Sequence, residues 1–164
     1  MKTLVIGLGN PVLTDDGVGW HVAERLRKTL DGRDDVHVEL ACVGGLALME
    51  EMVGFDRAIV VDATRSDATP GTVRRFGPGE LSTQHSASGH DVNLATALKL
   101  GRRLGAALPD DGDIVLIGVE AADVETFGES CTPPVGAAIP TAESEVLAAI
   151  DARDAYHFAA ARGD

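Results

Sequence analysis

The strongest constraint on the fold of this chain is the order in which two hydrophobic patterns alternate along it. Residues 3–6 form a short, almost entirely apolar run, which is typical of a strand that is buried on both faces of a sheet. From Gly17 onward the apolar residues recur every four positions, and this period predicts an amphipathic helix that ends at Asp31 and Gly32. A strand that leads directly into such a helix is the repeating unit of parallel sheets.

The same alternation continues through the rest of the chain. Further strands are predicted at 36–40, 58–61, 72–76 and 114–119. Helices are predicted at 46–52, from about 92 to 104, and from about 142 onward. The run at 72–76 carries charge and is therefore expected near an edge of the sheet. The sequence thus predicts an α/β fold of three layers, with a mostly parallel sheet between helices.

The composition agrees with a single globular domain. The chain has 164 residues, of which 45% are apolar and 24% are charged, and this length suffices for one substantial core. Aromatic residues make up only 4%, so the core has to be built mainly from aliphatic side chains. We interpret residues 1–164 as one domain whose tail, from about residue 158, is frayed.

The charge balance and the absence of export signals argue against several classes of function. The net charge is −12, from 14 basic and 26 acidic side chains, whereas nucleic-acid binding depends on cationic side chains. No apolar run approaches the length of a membrane span, and the chain does not begin with a secretory signal. We therefore expect a cytoplasmic protein that binds neither nucleic acid nor membrane.

Polar residues that follow the predicted strands form the candidate site. Asp15 and Asp16 come after the first strand by way of a glycine turn, Asp62 ends the strand at 58–61, and His90 precedes the helix that begins near residue 92. Function in parallel sheets gathers at the carboxyl ends of the strands, so these side chains are expected to meet in one cleft. Two carboxylates and an imidazole form an open metal site that suits nickel, zinc or iron.

Each of these residues also has a simpler structural interpretation. Either Asp15 or Asp16 could cap a helix and complement its dipole, and Asp62 could belong to a turn. His90 could be an exposed loop residue, and His85 competes with it for any histidine role. The functional interpretation gains support from the set as a whole, because independent caps have no reason to share one edge of a sheet.

Other catalytic motifs are missing from the sequence. Val12 occupies the position of the third glycine in a dinucleotide-binding fingerprint that Gly7 and Gly9 would begin. The chain has no P-loop lysine after that turn, no HExxH motif and no GxSxG motif. Cys131 lies in ESCTPP without a neighbour that would activate a thiol, so we interpret it as structural.

Several segments together resemble the hydrogenase maturation endopeptidases. They are IGLGNPVLTDDGVGWHVAERL, VVDA, SGHDVNLATALKL, IGVE and VETFGESCTPPVGAAIP, and the resemblance extends from Met1 to about Ile150. This family trims the C-terminal extension from the large subunit of nickel–iron hydrogenases. The resemblance implies an α/β/α sandwich around a twisted, mostly parallel five-stranded sheet.

The resemblance also implies a role for three residues. By motif position, the metal-sensing residues of the family fall on Asp16, Asp62 and His90, which are the expected catalytic and metal-contacting side chains. They are implied to contact nickel that is already inserted in the large-subunit precursor, so the nickel comes with the precursor and is not resident in the free protein. We expect a monomer when the precursor is absent. The first acidic position is often glutamate in the family, and Leu46 stands where threonine is common.

Two further functions remain open on the sequence. Strand-GLGNP also begins the peptidyl-tRNA hydrolases, in which a segment of the type TRHNVG supplies a catalytic histidine. Here LTDDGVGW follows instead, and a net charge of −12 suits a tRNA substrate poorly. A metal-dependent chaperone or binding module could use the same three residues without cutting its partner, and only an assay for product separates it from a protease.

Overall fold

The computed structural model describes residues 1–79 and 93–162, with side chains described as far as residue 152. Within these residues the strands are β1 Thr3–Leu8, β2 Val36–Ala41, β3 Arg57–Thr64, β4 Val73–Phe76 and β5 Ile114–Glu120. The α-helices are α1 Val18–Thr29, α2 Gly45–Glu51, α3 Leu94–Arg103 and α4 Pro133–Arg162. None of the helices in this part of the chain combines the length and the apolarity needed to cross a bilayer.

The strands form one five-stranded sheet in the order β2-β1-β3-β5-β4. The first four of these run parallel, and β4 pairs antiparallel with β5 at the edge of the sheet. The chain leaves β1 for β2 on one side and later returns to β3 on the other side of β1. The strand order therefore reverses between β1 and β3, and ligands of open α/β sheets bind at such a switch point.

Two hydrophobic cores lie on opposite faces of the sheet. Ile59 and Val61 of β3 face the core that α1 and α4 cover, whereas Ala58 and Val60 face the core under α2 and α3. This arrangement confirms the predicted three layers and the mostly parallel sheet. By the same alternation, Asp62 falls on the face covered by α2 and α3.

The start of the last helix was predicted wrongly. The prediction placed it near residue 142, because Gly136 and Pro140 are helix-breaking residues, yet α4 begins at Pro133. A proline is tolerated in the first turn, where the missing N–H would have no partner in the helix. Pro140 lies inside the helix, and its cost is offset because apolar residues on both sides of it are buried against the sheet: Val135, Ala138, Ala142 and Val146.

Strand β3 is longer than the sequence predicted. The apolar run ends at Val61, but pairing with β5 continues to Thr64, which lies opposite Glu120. Asp62 is therefore inside the strand rather than at its end, and its backbone is held by a neighbouring strand. A residue in that position has a better-defined direction than one in a turn.

Candidate functional site

The turn that follows β1 can be made only by glycine at one position. Gly9 has a φ of 128°, a conformation that side chains rarely adopt, and a Cβ there would lie 1.9 Å from the backbone oxygen of Asp16. The chain then passes through a short 3-10 helix, Thr14–Gly17, which leads directly into α1. The glycine turn thus brings Asp16 back over the end of β1.

The first turn of α1 rests directly on the ends of two strands. A Cβ on Gly19 would lie 2.3 Å from the carbonyl oxygen of Leu8 in β1 and 2.4 Å from that of Val61 in β3. Only a glycine allows this approach. It packs the start of α1, which Asp16 precedes, against the end of β3, where Asp62 follows Val61.

Two of the predicted site residues, Asp16 and Asp62, lie on segments at the carboxyl ends of the strands that flank the switch point. Asp16 is partly exposed, and its Oδ2 accepts a hydrogen bond of 2.7 Å from the Asn10 N–H. Asp62 is also partly exposed, and its Oδ1 accepts one of 2.8 Å from the Ala63 N–H. Both carboxylates are oriented by backbone donors.

The histidine of the predicted site is not described by the structure. His90 and its alternative, His85, both lie in the segment 80–92, outside the described residues. Among the residues that are described, no group of three or more His, Cys, Asp or Glu side chains could hold a metal ion. Asp16 and Asp62 on their own do not form a complete metal site.

Asp15 has a different role from its neighbour. It is fully buried, at 0% exposure, and its carboxylate accepts four hydrogen bonds of 2.7 to 2.9 Å. The donors are the Ala122 N–H, the Asp123 N–H and both the N–H and the hydroxyl of Thr132. Asp15 therefore holds residues 121–132, the β5–α4 loop, and supports the start of α4. The sequence analysis allowed a helix cap at this position, but neither the 3-10 helix that contains Asp15 nor α1 has a side-chain cap hydrogen bond, and the donors to Asp15 lie in the loop before α4.

A second set of hydrogen bonds ties the same two segments together. Thr14 has a φ of 46°, which is rare for a residue with a side chain. Its N–H donates to the Gly128 oxygen at 2.8 Å, and its hydroxyl donates to the Thr126 oxygen at 2.6 Å. The strained conformation is thus held by one bond from the backbone and one from the side chain of Thr14, both to the β5–α4 loop. The β5–α4 loop and the segment before Asp16 form one rigid unit.

Glu120 is a site-supporting residue that the sequence analysis missed. It is only 2% exposed, and its two oxygens accept hydrogen bonds from Thr64, Ser66 and Ala68. Burial raises its pKa, but the donors of Ser66, Thr64 and Ala68 outweigh burial and bring the pKa below its ordinary value. Glu120 therefore fixes the chain that follows Asp62. An acid at the end of the apolar run IVLIGVE was the available signal.

Cys131 lies beside the buried carboxylate and is not an activated thiol. Burial, followed by the negative charge of Asp15, raises its pKa to about 11. Its Sγ is 3.9 Å from the Thr14 oxygen. The interpretation of this cysteine as structural is consistent with both observations, because the reactive thiolate is strongly disfavoured.

Comparison with known proteins identifies the family. A model of the hydrogenase maturation protease family matches residues 20–149. The hydrogenase 2 maturation protease of Escherichia coli strain K12 is 31% identical over 153 residues, which cover 92% of this chain and 91% of that protein. The hydrogenase maturating endopeptidase HybD from E. coli has a TM-score of 0.73 at 30% identity, covering 93% of this chain and 94% of that chain.

A second solved structure agrees, an endopeptidase from E. coli with a TM-score of 0.75 at 32% identity and 92% coverage of both chains. These matches assign the GLGNP opening to a protease and not to a peptidyl-tRNA hydrolase. The matches agree with the glycine turn, the switch point and the two carboxylates described above. The chain belongs to the hydrogenase maturation protease family, and it is by that membership a hydrolase of peptide bonds.

Proposed function

We propose that this protein removes the C-terminal extension of the large-subunit precursor of a nickel–iron hydrogenase after nickel has been inserted. Asp16, Asp62 and His90 are proposed to contact the nickel of the precursor. The observation that carries this proposal is that two partly exposed carboxylates, each held by a backbone donor, lie on separate segments at the carboxyl end of the sheet in a member of this protease family.

The donor set suits a metal that arrives with the substrate. Carboxylate oxygens and an imidazole nitrogen bind nickel, and two carboxylates alone leave positions on the ion for ligands from the precursor. Asp16 and Asp62 are held by backbone donors before the substrate binds, so little reorganisation is needed. The nickel is therefore part of the substrate, and the free protein requires no resident metal.

The proposed reaction is the attack of a water molecule on the carbonyl carbon of the scissile peptide bond, during which negative charge develops on the carbonyl oxygen. A carboxylate near the scissile carbonyl can take a proton from an attacking water molecule, and a metal ion can polarise that carbonyl. Asp16 suits this role better than Asp15, because it is partly exposed while Asp15 is fully buried under four donors. A buried and fully bonded carboxylate cannot reach a partner without losing those bonds.

The test is a processing assay. Purified protein is mixed with nickel-loaded large-subunit precursor, and the mass of the precursor is followed over time. We expect loss of a C-terminal peptide with the native protein and no loss with Asp16→Asn, Asp62→Asn or His90→Ala. Asp34→Asn is the matched control and should leave processing unchanged. Asp34 is exposed and precedes the amino end of β2, whereas the site lies toward the carboxyl ends of the strands.

Three results would contradict particular parts of this proposal. Equal cleavage of nickel-free precursor would refute the nickel requirement. Stable binding of the loaded precursor without any change in mass would favour a binding module. Unaffected cleavage by both Asp→Asn variants would remove the two carboxylates from the site.

A further inference from the structure

The β5–α4 loop carries an exposed aromatic side chain beside the site. Phe127 is 84% exposed, more than any other large hydrophobic side chain in the part of the chain that the structure describes. Leu104 follows at 79%, but it lies at the end of α3, on the connection that leads to the amino end of β5, whereas Phe127 follows the carboxyl end of that strand. A phenylalanine ring in water forgoes the stabilisation of burial, and aromatic side chains are enriched in the cores of protein interfaces.

The exposure of Phe127 does not come from a poorly held loop. On the preceding side, the N–H groups of Glu125 and Thr126 both donate to Asp123 Oδ1 at 2.9 Å. On the following side, the Gly128 N–H donates to the Val12 oxygen at 3.0 Å. The ring is therefore displayed on an ordered backbone, and a partner that covers it has little ordering entropy to overcome.

The loop is also fixed relative to the candidate site. Leu13 forms a parallel bridge with Gly128, so Val12 and Phe127, the residues before them, lie side by side. Val12 is itself 43% exposed, and it lies in the segment between the glycine turn and Asp16. From Leu13 the chain continues through Thr14 and Asp15 to Asp16. A peptide that covers Phe127 is thus held at a defined distance from Asp16.

The charges around the ring indicate the chemistry of the partner. Glu125 and Glu129 are both exposed and flank Phe127 in sequence, and the whole chain carries a net charge of −12. Arg65 lies 3.5 Å from Glu125, whereas no ion pair in the described residues involves Glu129. An apolar ring between carboxylates fits a segment with an apolar side chain next to a lysine or arginine.

We propose that the surface formed by Val12, Phe127 and Glu129 is the docking site for a peptide segment of the precursor, in which an apolar residue covers Phe127 and a basic residue pairs with Glu129. This inference rests on the proposed function, since the precursor is the occupant. A second copy of this chain fits less well, because each copy would bring the same carboxylates against its partner. The surface acts in binding, apart from the cleavage chemistry.

The experiment compares two exposed apolar residues that differ in position. Phe127→Ala is expected to raise the KM for nickel-loaded precursor about tenfold with kcat unchanged, because it removes contact made equally in the ground and transition states. Leu104→Ala, the matched control, should leave both constants unchanged. Glu129→Gln should raise KM at low salt, and this effect should shrink as salt screens the pair. Thermal unfolding checks that all three variants remain folded.

The outcomes separate this inference from the proposed function. An unchanged KM for Phe127→Ala, or an equal rise for Leu104→Ala, would overturn the docking site while cleavage by the native protein upheld the proposed function. If the native protein cleaves no precursor, direct binding of precursor still decides: weaker binding by Phe127→Ala supports the docking site, and equal binding overturns it. Conversion of a native dimer to a monomer by Phe127→Ala would assign the surface to a second copy and also overturn it.

Discussion

Asp15→Ala should lower the free energy of unfolding more than Asp16→Ala, although the two residues are adjacent and chemically identical. The Asp15 carboxylate accepts hydrogen bonds from three backbone N–H groups and one hydroxyl, all of the β5–α4 loop. The Asp16 side chain accepts a hydrogen bond from the Asn10 N–H, and its carboxylate is partly exposed.

The loss in the free energy of unfolding can be estimated from the hydrogen-bond donors that Asp15→Ala would leave without an acceptor. The Thr132 hydroxyl can rotate toward another acceptor, but the three N–H groups cannot, and each loses an ionised partner. Water reaches this partly buried region once the loop loosens, so we assign about 1–1.3 kcal/mol to each group, near the lower end of the usual range. The free energy of unfolding should then fall by about 3–4 kcal/mol, which corresponds to a drop in Tm of about 6–16 °C.

The assay is urea unfolding of the native protein, Asp15→Ala and Asp16→Ala, followed by circular dichroism, with processing activity measured on the same samples. Asp16→Ala should cost about 1 kcal/mol or less and abolish processing, because it removes a site carboxylate and not a structural one. A loss of less than 1 kcal/mol for Asp15→Ala, or a larger loss for Asp16→Ala, would refute the assignment of the two roles.

Three further predictions concern the surroundings of the site. Gly9→Ala should lower the free energy of unfolding by about 1–3 kcal/mol from the φ of 128° alone. Gly112→Ala is the control and should change it little, because a Cβ at Gly112 would meet nothing within 4 Å. Equal effects of the two substitutions in thermal unfolding would contradict this prediction. Because the pKa of Glu120 is lowered on folding, its ionised form stabilises the protein above the pKa of the unfolded state, and this contribution is lost as the pH falls through the folded pKa. The stability difference between native protein and Glu120→Gln should therefore be largest near pH 7 and shrink below about pH 4, and a constant difference would contradict the assignment. Cys42 is exposed, whereas the pKa of Cys131 is raised to about 11. Iodoacetamide at pH 8 should therefore alkylate Cys42 far faster than Cys131, as measured by peptide mass spectrometry. Equal rates would contradict the burial of the Cys131 thiol.

Much of the fold could be predicted because its signals are local. The four-residue period of α1 and the apolar runs of β1, β3 and β5 depend on which face of each element is buried, and that periodicity is written in neighbouring residues. The charged run of β4 correctly predicted an edge strand. The prediction of where α4 begins was wrong for the opposite reason. The local signals of glycine and proline were outweighed by burial of the helix against strands that are distant in sequence.

The candidate site divides along the same line. The sequence alone determined that Asp16 comes after the first strand and Asp62 after the apolar run of the third, and so placed both toward the carboxyl ends of a parallel sheet, because chain direction fixes where those ends lie. Only the tertiary structure decided that Asp15 is the buried partner of the β5–α4 loop, because its donors lie 107 to 117 positions further along the chain. The exposure of Phe127 on that loop was decided in the same way. Side-chain burial and long-range hydrogen bonds depend on which distant segments meet, and no local pattern carries that information.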